Sequence, residues 1–152
     1  MAISDEDNKE ALLYSNFDGS GYASLLKKDL SHMKINMETC KEIVETITLK
    51  KFILENKIDR VDILKIDVEG FEMKVLEGIN ALLKKINIIQ FEISSGQIDS
   101  KNYFKDFWFF FIKFNFKMYL ISPSRPIQIL KYKERDEFFD TTNYIAANTF
   151  EK

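Results

Sequence analysis

Residues 61–79 read VDILKIDVEGFEMKVLEGI, and the order of polar and apolar positions in them decides the fold. Residues 61–68 are apolar almost throughout, as in a strand buried on both faces of a parallel sheet. After them Phe71, Val75, Ile79 and Leu83 recur every four residues, with Leu76 and Leu82 beside them. That is the spacing of a helix with one apolar face. A strand running into such a helix is the unit of an open α/β sheet, and open α/β sheets bind ligands at the carboxyl ends of their strands. Asp67 and Glu69 stand at that end. Two roles are open to them. Negative charge is favoured at a helix N-terminus, so Glu69 could cap the helix while Asp67 anchors the turn. Alternatively, Asp67 faces a ligand, with Lys65 one strand step deeper on the same face. A lysine there is costly without a carboxylate beside it, and Asp67 is the obvious partner. Such a pair can transfer a proton or orient a hydroxyl. Asp67 and Glu69 could instead hold a hard divalent cation, but two carboxylates are few for that, and no metal is assigned.

Outward from this unit the chain reads as further strands and helices. Residues 2–4, AIS, read as the tail of a strand. A polar turn follows over 5–9, then a short alternating run, ALLYS, and a glycine-bearing loop, FDGSGYASLL. Residues 26–42 are mixed and polar and read as a loop with weak structure. Residues 43–47 suit a strand, and Thr48 can cap a helix that puts Leu49, Phe52 and Ile53 on one face. Residues 86–93, INIIQFEI, read as a second buried strand. Asp99 or Ser100 could cap a helix running to about Phe114, and Asn115 suits the left-handed position that closes it. Residues 117–121 and 127–132 read as two strands joined across PSRP. The order strand, helix, strand, helix, strand, strand implies an α/β domain with a mostly parallel sheet and an antiparallel C-terminal hairpin.

Composition narrows the function classes. The chain has 152 residues, enough for one modest domain. Its net charge of −2 gives no basic surface for nucleic acid. No apolar run approaches the ~20 residues of a membrane span. Cys40 is the single cysteine, which excludes an internal disulfide and fits a reducing, cytoplasmic compartment. It reads as a small filler rather than a nucleophile, because no histidine or basic pair adjoins it. His32 is the single histidine and lies in a polar loop, where solvation is the ordinary fate. The aromatic run FWFFFIKFNF at 107–116 reads as a helix packed on the sheet. Glu92 ends its strand at the same edge as Asp67.

The motif KIDVEGFEMKVLEGINALLKK, followed by a strand carrying Phe91-Glu92, resembles the FkbM family of S-adenosylmethionine-dependent methyltransferases. The matching positions are Lys65, Ile66, Asp67, Val68, Glu69, Gly70, Glu72, Leu76, Gly78 and Glu92. AIS at 2–4, ALLY, ASLL and the near-terminal NYIAAN also resemble family segments. The resemblance implies a Rossmann-like class I methyltransferase fold, with residues 1–152 as a single partial domain, truncated at its N-terminal side. The family's first strand with its glycine-rich turn, and its second, acid-ended strand, have no counterpart in this sequence. GSG at 19–21 follows no buried strand and opens no good helix, so it is a poor substitute. Lys50 stands where the family usually has an aspartate. The implied chemistry is methyl transfer from S-adenosylmethionine to a hydroxyl acceptor such as a glycan or secondary metabolite. Asp67 would be the base, Lys65 would tune it, and Glu69 would shape the acceptor side with Glu72 and Glu92. Ala2, Ile3 and Asp67 would touch the cofactor. Without the first strands, the strand at 61–68 would keep an unpaired edge. That edge implies a homodimer, a separate N-terminal half, or an inactive interaction module.

Overall fold

A computed structural model describes residues 1–149. Eight strands form two sheets. β1 (Ala2–Ser4), β2 (Glu10–Ser15) and β3 (Cys40–Thr48) make a three-stranded sheet in the order β1-β3-β2. β4 (Val61–Ile66), β5 (Ile86–Ile93), β6 (Phe116–Leu120), β7 (Ile127–Ile129) and β8 (Thr142–Asn148) make a five-stranded sheet in the order β4-β5-β8-β6-β7. The helices are α1 (Leu49–Glu55), α2 (Glu72–Glu77), α3 (Gly96–Ser100) and α4 (Phe104–Lys113).

The sheets are mixed, not mostly parallel. Only β1–β3 and β4–β5 run parallel, and the other pairings among the described residues are antiparallel. The physical reason is connectivity. A parallel pair needs a crossover, which α2 supplies between β4 and β5. The closing strand β8 instead enters from the opposite direction and inserts between β5 and β6. That insertion is invisible to local periodicity.

β4 also differs from a doubly buried strand. It lies at the end of its sheet, and Asp62, Ile63 and Lys65 are exposed, Ile63 at 66%. Its inner edge carries the register Leu64–Ile89 and Ile66–Phe91, while no strand lines its outer edge among the described residues.

The core sits between the five-stranded sheet and its helices. Phe91 on β5 stacks on Phe107 and Phe111 of α4 and on Tyr144 of β8, with centroid distances of 5.0, 5.3 and 5.6 Å. The aromatic run is thus mostly core, although Phe109 and Ile112 point to solvent. Stacked rings of this kind add to what area burial supplies. α4 is started by carboxylates rather than by Asp99 or Ser100. Asp106 accepts from the Tyr103 N–H at 2.8 Å, and Glu137 accepts from the N–H groups of Phe104 and Lys105 at 2.9 Å each. Asn115, with φ 58°, closes the helix end in the left-handed region as expected.

α2 ends at Glu77, and the 3-10 turn Asn80–Lys85 replaces its expected continuation to Leu83. Asn80, at φ 38°, takes the chain out of the helix, and Gly78 just before it stays helical. A Cβ on Gly78 would press on the backbone carbonyl oxygen of Ser4, so β1 packs directly on the glycine. Gly78→Ala should therefore lower stability by about 2 kcal/mol, as overpacking against backbone does, and urea unfolding would measure it. An unchanged midpoint would show that β1 yields freely.

The segment 26–42 is better ordered than a weak polar loop. Leu30 and Met37 are buried at 3% and 2% exposure. Two or three buried side chains without a period suffice to pin such a loop, and no helix or strand pattern announces them.

Candidate active site

The turn after β4 gathers the acidic residues. Glu69 and Gly70 both take positive φ, 56° and 99°, which folds the chain sharply back into α2. Only glycine fits at the second position. A Cβ on Gly70 would lie 2.8 Å from the Gly96 carbonyl oxygen and 2.9 Å from Leu26 Cδ2. The turn is wedged between two loops. Ser24 Oγ lies 3.3 and 3.0 Å from the carbonyl oxygens of Val68 and Glu69 and shares its proton between them. Lys28 Nζ, buried among the loop residues, donates to Glu69 Oε2 at 2.7 Å.

Glu72 belongs to the inside of this turn. It is 1% exposed and accepts from the Val68 and Gly70 N–H groups at 3.1 and 3.0 Å and from Gln97 Nε2 at 2.6 Å. Gln97 in turn accepts from the Ser94 N–H at 2.6 Å. The expectation that Glu72 shapes the acceptor side is corrected here: its carboxylate is spent on backbone and Gln97, behind the cavity wall. Burial pushes its pKa up, opposed by the hydrogen bonds from Gly70 and Val68.

Lys65 and Asp67 pair as their spacing suggests, with Nζ 2.8 Å from Oδ2. The pair is solvent-facing rather than sunk in a buried strand, because the face of β4 that carries it is open. Glu92 closes the group from the end of β5. Asn143 Nδ2 on β8 donates to its Oε2 at 3.1 Å. Burial holds the Glu92 carboxyl above the usual carboxylate range, with the neighbouring Asp67 and Glu69 charges adding to the rise and Asn143 opposing it. Asp67, Glu69 and Glu92 each bring one carboxylate oxygen to within 4.8 Å of the others. One hard cation could bridge such oxygens, although lysine Nζ groups already pair with two of the three carboxylates.

Glu69 and Glu92 open on a cavity of about 380 Å³, whose other walls include Tyr22, Lys28, His32 and Thr141. Its position, at the carboxyl ends of β4 and β5, is where this class of sheet receives ligands. Of the residues expected at a site, Lys65, Asp67, Glu69 and Glu92 come together. Ala2 and Ile3 lie on β1, paired with Thr46 and Ile47, and do not line this cavity. His32, Lys28 and Tyr22 were not expected there. Their loop carries no periodic signal, and its ties to the motif, from Ser24 to the Val68 and Glu69 carbonyls and from Lys28 to Glu69, are contacts between distant positions.

The family model of the Methyltransferase FkbM domain matches residues 1–118. The chain belongs to that family. This FkbM domain is also 31% identical over 59 residues to the hexuronic acid methyltransferase AglP of Haloferax volcanii, a stretch covering 39% of this chain and 24% of that protein. The match spans about a quarter of that relative's length. No solved structure matches the chain. No helix among the described residues is long and apolar enough to cross a membrane.

Proposed function

We propose that this FkbM domain serves methyl transfer from S-adenosylmethionine to a hydroxyl oxygen of a small acceptor, with an acidic sugar such as a hexuronic acid as the first candidate. The observation that carries this reading is the clustering of Asp67 with Glu69 and Glu92, the latter two lining a cavity sized for a small ligand. A hydroxyl becomes a nucleophile when a positioned carboxylate takes its proton. Asp67 is free to do so, because its partner is the solvent-facing Lys65 rather than the fold. Lys65 Nζ fixes the direction of that carboxylate. Glu69 and Glu92 accept hydrogen bonds from neighbouring acceptor hydroxyls and so orient the sugar ring.

S-adenosylmethionine supplies the methyl group as an electrophilic sulfonium when bound. The described residues fit the acceptor better than this cofactor. Gly19 and Gly21 have open space around them but follow β2 and its turn and open no helix, so no strand, glycine turn and helix cradles the methionine end. No residue is therefore assigned to hold it.

Calorimetric titration of the 152-residue chain with S-adenosylmethionine, followed by a labelled-methyl assay on glucuronate, tests the reading. Binding with label transfer would support the reading and would mean that the cofactor is held without a strand, glycine turn and helix cradle. A folded sample that neither binds nor transfers would favour the second reading, a non-catalytic pairing module. The open outer edge of β4 with exposed Ile63 supports that second reading, and a dimer in sedimentation experiments would agree with it.

A further inference from the structure

A second cavity, of about 360 Å³, lies beside β7 and the 3-10 turn Glu134–Asp136, away from the carboxylate group. Its walls are apolar where Leu120, Ile129 and Phe138 meet, and its rim carries Lys131, Lys133 and Arg135. No carboxylate pairs with these three cations among the described residues. One acid, Asp136, shares the lining, but its Oδ2 already accepts from the Lys133 N–H at 2.9 Å.

Tyr144 also lines this cavity. The residue is fully buried, and its hydroxyl has no hydrogen-bond partner. A buried polar group without a partner is costly and calls for an explanation. The ring cannot turn the hydroxyl elsewhere, because it stacks on Phe91 at 5.6 Å and on Phe104 at 4.5 Å. The nearby Glu137 does not take up its proton. Glu137 is held by the N–H groups of Phe104 and Lys105 and by the Tyr132 hydroxyl, which donates at 2.9 Å. Burial first, and the charges of Glu137 and Asp136 next, keep the Tyr144 phenol protonated. It is therefore a fixed donor.

We propose that this cavity binds an amphipathic carboxylate, with its apolar body against Leu120, Ile129 and Phe138 and its carboxylate between the Tyr144 hydroxyl and the Lys131, Lys133 and Arg135 rim. The three unpaired cations set the charge of the ligand, and the orphan donor sets its acceptor chemistry. Arginine and carboxylate pair in a two-pronged geometry that favours this anion over a single hydroxyl.

The test is calorimetric titration of the full chain with sodium octanoate and, separately, with 1-octanol. Octanoate should bind at one site, about tenfold or more tighter than octanol. The triple variant Lys131→Gln, Lys133→Gln, Arg135→Gln should lose about tenfold in octanoate affinity, and its circular dichroism should match the parent, since the changes lie on the rim. Tyr144→Phe keeps the ring stack and should lose about threefold. Octanol binding as tightly as octanoate, no heat from octanoate, or parental affinity in either variant would overturn the proposal.

Discussion

Asp67→Asn should lower methyl transfer to an acceptor hydroxyl by roughly 10²–10⁴-fold, the range a positioned general base contributes. The substitution keeps the size of the side chain and removes its ability to take a proton. It should leave folding nearly untouched, because Asp67 is exposed and its one ion pair, to Lys65, faces solvent. Activity and stability are therefore expected to separate: a labelled-methyl assay collapses while the melting temperature stays. Turnover equal to the parent's would remove Asp67 from the mechanism and pass the proton to Glu92, whose raised pKa suits it to a base role.

Glu72→Ala should do the opposite, costing roughly 3 kcal/mol of stability. It strips partners from the buried N–H groups of Val68 and Gly70 and from Gln97 Nε2 at once. Glu72→Gln should fail to rescue it fully, because an amide would set one donor against the Gln97 donor. The pH dependence has a definite sign. The folded pKa of Glu72 is raised above its ordinary value of 4.5. The stability it contributes is then complete below that ordinary value and declines as pH rises through the raised one. The gap between parent and Glu72→Ala, measured by urea unfolding from pH 4 to 7, should narrow toward neutrality. A gap that widens with pH would mean that the hydrogen bonds to the carboxylate outweigh its burial.

Much of the site could be read from residues 61–79 because its signals are local. The apolar run marks a strand over 61–68, which in the structure ends at Ile66, and strand alternation places Lys65 beside Asp67; the 2.8 Å pair follows from two-residue spacing. Glu92 was placed by the same rule at the end of β5. What stayed hidden is non-local. The β8 insertion between β5 and β6 depends on pairing across more than fifty residues, such as Phe91 with Tyr144. The packing of β1 on Gly78 joins positions more than seventy apart, and the burial of Lys28 depends on Glu69, forty-one positions later. Glu72 misled for a related reason: a carboxylate in a motif looks functional until the backbone around it shows that its oxygens are fully engaged.

The Glu72–Gln97 link makes the two lips of the acceptor cavity mechanically one piece. One lip follows β4 through Val68 and Gly70, the other follows β5 through Ser94, and a single carboxylate and a single amide rivet them together. Loosening either lip must loosen the other, so the spacing between Asp67 and Glu92 behaves as a calibrated gauge rather than as two independent settings. A substitution at Gln97, which touches neither carboxylate directly, would register as a misaligned acceptor.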